Sequence, residues 1–275
     1  MTARSPASSA ASSAGAPAGT VSVVIPCYGG ETLPRALASV AAQTRAPLEV
    51  IVVDDASPVP LAAEGARLIR LEHNQGPANA RNAGWDAARG TYVAFLDSDD
   101  AWHPQKLALQ TAVMERNPKA ALTATDLFEA IAEPGEPGEP APFPSIEGEP
   151  RVREYARWKA LVVNPSHTPT WMVRRDLAHR FPANGRYVED YLFLLELLLD
   201  GQLVLHLEAE LACVFKPRLG KTSGLSSHLW RMERGELSAY ASLRASGRLS
   251  APTATALQAA SLLKFARRLA LRAVR

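Results

Sequence analysis

Short apolar, β-branched runs alternate with stretches of helical spacing, and this alternation constrains the fold more than any other feature. "VSVVIP" (21–26), "LEVIVVDD" (48–55), "ARLIRLE" (66–72) and "TYVAFL" (91–96) read as strands, the first, second and fourth buried on both faces. Between them, residues 31–43 carry Leu33, Leu37 and Val40 at helical spacing. "NQGPANARNAGWDAARG" reads as a turn and a helix, with Pro77 in the first turn and Gly90 at the C-terminal cap. Residues 104–116 form another helix stopped by Asn117-Pro118, and "AALTAT" offers a fifth strand. Strand–helix alternation implies an α/β fold with a Rossmann-like, mostly parallel central sheet flanked by helices and right-handed crossovers. Ligands of such sheets bind beyond the carboxyl ends of the strands. Three strand ends here carry unusual chemistry: Pro26-Cys27-Tyr28, Asp54-Asp55, and the acidic turn Asp97-Ser98-Asp99-Asp100. Parallel strands bring all three to one sheet edge.

The remaining chain is organised around that half. Residues 1–20 are small and polar, lack a long apolar segment, and read as a flexible tail rather than a secretory signal. Residues 21–131 form the half with the unusual strand ends. Residues 132–150 are rich in proline, glycine and glutamate and read as a mobile acidic loop. Residues 151–230 form a second half: a helix over 153–163, a strand in "TPTWMVRRDL" running into a helix start, a helix in "VEDYLFLLELLLDG" stopped by Gly201, and one or two strands in "QLVLHLEAELACVF". Residues 231–275 form a helical extension. Its last helix places Leu262, Phe265, Ala266, Leu269 and Ala273 on one face and Lys264, Arg268, Arg272 and Arg275 on the other. Such a helix either lies on an anionic membrane surface or packs on the domain with its basic residues solvated, the second being the plainer expectation.

Composition excludes several classes. A formal net charge of +2 over 275 residues argues against a dedicated nucleic-acid binder. No run approaches the ~18 apolar residues of a membrane span. Cys27 and Cys213 sit in apolar stretches and read as buried thiols in a reducing compartment. The expected location is the cytoplasm, with the inner membrane face as a peripheral site. No Gly-x-Gly-x-x-Gly follows the first strand, as a dinucleotide-binding dehydrogenase needs. That strand also lacks the acidic nucleophile of an Asp-x-Asp phosphatase. A response-regulator-like module would be much shorter.

The acids admit two readings each. Hard divalent cations such as Mg²⁺ and Mn²⁺ prefer carboxylate and phosphate oxygen, so Asp97-x-Asp99 suits a metal and a bound nucleotide; Asp and Ser also simply end strands. Asp54 and Asp55 either face a base or ribose or satisfy loop N–H groups. Arg81 either supports a nucleotide or pairs on the surface with Asp86. Glu189 and Asp190 either answer the helix dipole or provide a general base.

"VSVVIPCYGG", "VIVVDDASP", "NQGPANARNAG", "GTYVAFLDSDD" and "VEDYLFLLELLLDG", in that order, resemble the family 2 glycosyltransferases with a GT-A fold. The resemblance implies an inverting, metal-dependent transfer of sugar from a nucleotide-sugar, UDP by default with dTDP and GDP open, to a carbohydrate or glycolipid acceptor in cell-surface synthesis; the richness in alanine, arginine and proline points to a GC-rich bacterial genome. It implies that Pro26, Tyr28 and Asp55 line the base site with Asp54 adjacent, and that Arg81 helps hold the base. Asp97, with Ser98 beside it, meets the ribose region, Asp99 binds Mn²⁺ or Mg²⁺, and Asp190 is the catalytic base with Glu189 beside it. The family often has Asn after the Tyr of the first motif, where this chain has Gly29. Lys216, Arg218 and Lys221 are candidates for phosphate contacts, and Trp171 is either an acceptor-stacking face or core. The alternative outside catalysis is a glycosyltransferase-like protein that binds a nucleotide-sugar or a partner without turnover.

Overall fold

The apolar runs form strands because their β-branched side chains fill both faces of a central sheet. In the computed structural model, which describes residues 18–132, 143–146, 148–183, 187–217 and 229–273, β1 (Val21–Cys27) is buried along its whole length. It lies between β2 (Glu49–Asp54) and β4 (Tyr92–Phe95), parallel to both, with β3 (Arg67–Arg70) parallel outside β2. The order continues through β8 (Met172–Arg174), β6 (Ala120–Ala132), β9 (Leu203–Pro217) and β5 (Ala101–Trp102), and β7 (Val152–Glu154) pairs with β9. β8 is antiparallel to both β4 and β6, so β6 and β9 run the same way as β1 to β4. The reversed strands are β5, β7 and β8. One mostly parallel sheet therefore threads both halves of the chain.

Alternate residues of each strand enter different cores. Val24, Val53 and Phe95 face α2 (Pro77–Ala87) and α5 (Glu189–Leu199), joined by the aromatic rings of Trp85, Trp171, Phe181 and Phe193. Val23, Ile25, Val52 and Ala94 face α1 (Leu33–Ala41) and α3 (Lys106–Arg116). Burial on both faces explains why these strands lack polar alternation. Cys27 and Cys213 are buried and unpaired.

Several elements differ from expectation. Gly90 does not cap α2, whose C-cap is Ala88 in extended conformation. A Cβ on Gly90 would stand 2.6 Å from the Ser22 nitrogen, so close backbone approach explains this glycine. Of residues 153–163 only the short α4 (Arg157–Ala160) is helical, while Arg153 and Glu154 belong to β7, to which β9 offers an edge. β8 is followed by a turn rather than a helix start. α5 does end at Gly201, where Gln202 N–H donates to Leu197 O at 2.9 Å and Gly201 N–H to Leu198 O at 3.3 Å, the paired bonds of a Schellman cap.

The helical extension comprises α6 (Leu229–Ala245) and α7 (Ala251–Ala273). The basic face of α7 stays part-exposed at Lys264 and Arg268, as expected, and is also ion-paired to α6. Lys264 donates to Glu236 at 2.9 Å and to Val162 O at 2.7 Å, and Arg268 pairs with Glu233 at 3.0 Å. Phe265 packs inward on Trp230, while Leu262, Leu263 and Leu269 remain exposed. The acids of α6 thus hold these cations along its edge, and part of the apolar stripe faces outward. Arg275 lies outside the described residues, as do the tail before residue 18 and most of the acidic loop. Among the described residues no helix is long and apolar enough to cross a membrane.

Candidate active site

Register puts the acidic strand ends side by side. Cys27 pairs with Asp54, and Val24 with Phe95, so Tyr28, Asp55 and Asp97 emerge from the same edge. Pro26 is buried within β1 at a position beyond the β4 pairing, where its missing N–H interrupts no ladder with that neighbour. Tyr28 is 60% exposed at the mouth of this edge.

Asp54 and Asp55 organise the loops around that mouth. Asp54 accepts from Ser57 N–H at 2.7 Å and from Arg70 at 2.6 Å. Asp55 accepts from the N–H groups of Gln75 and Gly76 at 2.7 and 2.8 Å, tying the entry of α2 to the end of β2. Between them and Ser57, Ala56 holds φ of 60°, a left-handed conformation uncommon outside glycine.

Arg81 is not the surface arginine of its plainer reading. It is 5% exposed, and Asp86 pairs instead with Arg180 at 2.9 Å. Its guanidinium reaches Asp97 at 2.7 Å and Glu189 at 3.4 Å, while its Nε is buried without a partner among the described residues. Burial pulls its pKa down, but Asp97 and Glu189 together hold it above the ordinary arginine value. One buried cation thus joins the end of β4 to the start of α5.

The acidic turn is crowded. Asp100 is buried, and desolvation, then the charges of Asp99 and Asp97, push its carboxyl well above the usual range. It precedes β5 rather than a helix. Asp99 keeps surface open to solvent, yet desolvation by surrounding protein and then Asp97 raise it too. Ser98 hydrogen-bonds Cys27, whose thiol burial pushes up. Arg35 of α1 supports the turn, donating to Asp99 O at 2.7 Å with its guanidinium 3.7 Å above the Phe215 ring. Its neighbourhood depends on β9 crossing β5, which no local signal in the sequence announces. Among the described residues, no three His, Cys, Asp or Glu side chains converge on a metal position. The exposed Asp99 carboxylate beside Asp97 nevertheless fits a hard cation that takes the rest of its shell from substrate phosphate and water.

Glu189 and Asp190 open α5 after Val188, which holds φ of 59° and ψ of 24°. A β-branched residue in that region is a true outlier of the kind found at functional sites. Desolvation raises Glu189; Arg81 opposes this and Asp190 adds to it. Desolvation likewise raises Asp190, opposed by Arg81 and His167. Arg81, Asp97, His167, Glu189, Asp190 and Met232 line a cavity of about 220 Å³. Its His167 wall is fixed from below: Trp102 donates to Pro169 O at 2.7 Å and Thr170 Oγ1 to His167 O at 2.7 Å. A second cavity of about 630 Å³ between α5 and α6 shares Tyr187, Val188 and Glu189 with the first.

Trp171 belongs to the core. It is 0% exposed, stacks on Phe181 and donates to Ser166 Oγ at 2.8 Å, so it offers no face to an acceptor. Lys216 lies on β9 opposite Ile131. Arg218 and Lys221 lie outside the described residues.

A mostly parallel sheet with acids beyond its strand ends and a carboxylate pair facing them is the arrangement of the GT-A glycosyltransferases. The model of "Glycosyl transferase family 2" matches residues 22–181, more than half of the sequence, and the chain belongs to that family. It is 48% identical over 100 residues to the succinoglycan biosynthesis protein ExoW of Rhizobium meliloti, covering 32% of this chain and 31% of that one. It is 36% identical over 105 residues to WfgD of Escherichia coli, a UDP-Glc:alpha-D-GlcNAc-diphosphoundecaprenol beta-1,3-glucosyltransferase, covering 35% of this chain and 42% of that one. The matches thus span less than half the length of either relative. TarS of S. aureus, solved with UDP-GlcNAc, has the same fold, with a TM-score of 0.59 and 21% identity over 88% of this chain and 71% of that one.

Proposed function

We propose that the chain transfers a sugar from a UDP-sugar to an acceptor hydroxyl, with inversion and with a divalent metal, in the assembly of cell-surface polysaccharide or glycolipid. The observation that carries this reading is the Arg81 bridge, which sets Asp97 at the donor edge against Glu189 at the start of α5. The names of the relatives, succinoglycan biosynthesis and UDP-glucose transfer, support the substrate class.

The donor's base lies toward Pro26, Tyr28, Asp54 and Asp55, with Asp97 and Ser98 at the ribose. Arg81 holds Asp97 in place and lends positive charge. Asp99 would hold Mn²⁺ or Mg²⁺, which when bound offsets charge on the departing nucleoside diphosphate. Asp190 accepts the proton of the acceptor hydroxyl. The hydroxyl oxygen bonds to the anomeric carbon from the face opposite the leaving group, and the carbon–oxygen bond to the diphosphate breaks. One displacement inverts the centre. Glu189, paired with Arg81, orients the cation beside the base. Peripheral contact with the inner membrane face is part of the proposal, supported by the exposed Leu262, Leu263 and Leu269 of α7.

A thermal-shift screen of nucleotide-sugars with Mn²⁺ tests the reading. A UDP-sugar raises the melting temperature through preferential binding to the folded state, and omitting metal removes the shift. No shift with any donor refutes it. A shift without donor hydrolysis or transfer supports the non-catalytic alternative instead.

A further inference from the structure

The larger cavity carries a charge pattern that the donor chemistry does not use. Its walls include Glu189, Glu196, Arg231 and Arg234. Both carboxylates are already matched, Glu189 by Arg81 at 3.4 Å and Glu196 by Arg248 at 3.4 Å. The arginines are not. Arg231 donates to the neutral Tyr187 hydroxyl at 3.0 Å, and Arg234 has no hydrogen bond or ion pair among the described residues. Three positions apart on α6, they share one helix face. Gly235 beside them brings α6 so near the Glu189 turn that a Cβ there would meet Val188 at 2.5 Å. The arginine pair therefore sits one cavity wall from Asp190.

We infer that this cavity is the acceptor site and that Arg231 and Arg234 select an acceptor bearing a phosphate or diphosphate group near its reacting hydroxyl. The inference rests on the transferase reading and names its acceptor class. Two guanidinium forks suit phosphate oxygens through paired, charge-assisted hydrogen bonds. A volume of about 630 Å³ matches a small-molecule site. Tyr187, Val188 and Glu189 line both cavities, so a glycosyl phosphate held by the arginines lies next to the cavity that Asp190 lines.

The test is calorimetry on the full chain with UDP and Mg²⁺ saturating the donor side, and glucose 1-phosphate as probe. The wild type binds it, Arg231→Ala with Arg234→Ala weakens it at least about tenfold, and UDP affinity is unchanged. The double lysine variant keeps the charge and retains intermediate affinity. Geranyl diphosphate and methyl glucoside serve as competitors. Displacement by geranyl diphosphate supports a lipid-linked diphosphate, and failure of that competitor supports a soluble glycosyl phosphate. Equal displacement by neutral methyl glucoside overturns the inference, as does probe affinity indifferent to the alanines. A parallel fall in UDP affinity overturns it by moving the arginines to the donor. If UDP does not bind the wild type, the transferase reading fails first and the inference falls with it.

Discussion

Gly235→Ala is a one-carbon change whose consequence can be worked from the structure. The new Cβ would stand 2.5 Å from Val188 Cγ2 and 3.0 Å from the Tyr187 carbonyl oxygen. Carbon atoms rest about 3.5–4.0 Å apart, so Val188 must retreat by about 1 Å. It has little freedom to do so, because a β-branched side chain is stiff at χ1 and its φ of 59° leaves the backbone only a narrow left-handed well. The displacement passes to Glu189 and Asp190, the next residues in the chain. Overpacking of this kind costs about 1–3 kcal/mol, offset by about 1 kcal/mol of helix propensity gained on replacing glycine within α6. Folding therefore weakens by no more than about 2 kcal/mol, or roughly 4–8 °C in melting temperature. A misplacement of about 1 Å at reacting groups costs on the order of 100-fold in rate. UDP affinity, which the proposal places at the ends of β1, β2 and β4, is expected to stay at the wild-type value. Calorimetry with UDP, a melting curve and the rate of UDP release from the donor separate these effects. Wild-type turnover in a folded Gly235→Ala chain would refute the argument that α6 fixes the catalytic turn.

Arg81→Ala leaves Asp97 and Glu189 without their shared cation, and chemical denaturation should show a loss of about 3 kcal/mol; an unchanged midpoint contradicts the bridge. The same variant tests pH dependence. As the proposed base Asp190 would work deprotonated, and burial raises its pKa, so activity is expected to be full above that raised value and to fall as pH drops through it. Arg81 opposes the rise, so in any residual activity of the variant the acid limb moves to higher pH, and a limb that stays put contradicts the electrostatic assignment. Asp99→Ala should abolish metal-dependent UDP binding in calorimetry, and retained metal dependence moves the cation elsewhere.

How much of this was legible depends on where each signal lives. β1, β2 and β4 announced themselves because burial on both faces demands unbroken apolar β-branched runs. Their acidic ends were legible for the same reason, since parallel strands must share an edge. β9 was readable over nearly its whole 15 residues, though as one or two strands, while only "AALTAT" of the 13-residue β6 was readable. Polar Asp126 and Glu208 interrupt their pattern near shifts in the register of the pair. α6 as a whole was obscure because its buried set includes Glu233, satisfied by Arg268 and Ser261 of α7. That pairing also ties the part-exposed Lys264 and Arg268 to α6, which a projection of one helix alone cannot foresee. Arg81 was readable as a candidate from its motif, but not its burial, which requires α5 to close over α2. His167, Arg35 and the Arg231–Arg234 pair reach the site only through tertiary contacts.

The central claim is that Asp190 performs the proton transfer at a donor site built by other residues. Asp190→Asn is nearly isosteric and tests it directly in a two-channel measurement, with calorimetric UDP affinity in one channel and sugar transfer in the other. The account predicts wild-type UDP affinity with transfer reduced by about 100-fold or more, the scale of a lost general base. Near-normal transfer in Asp190→Asn contradicts the account and shifts the base to Glu189.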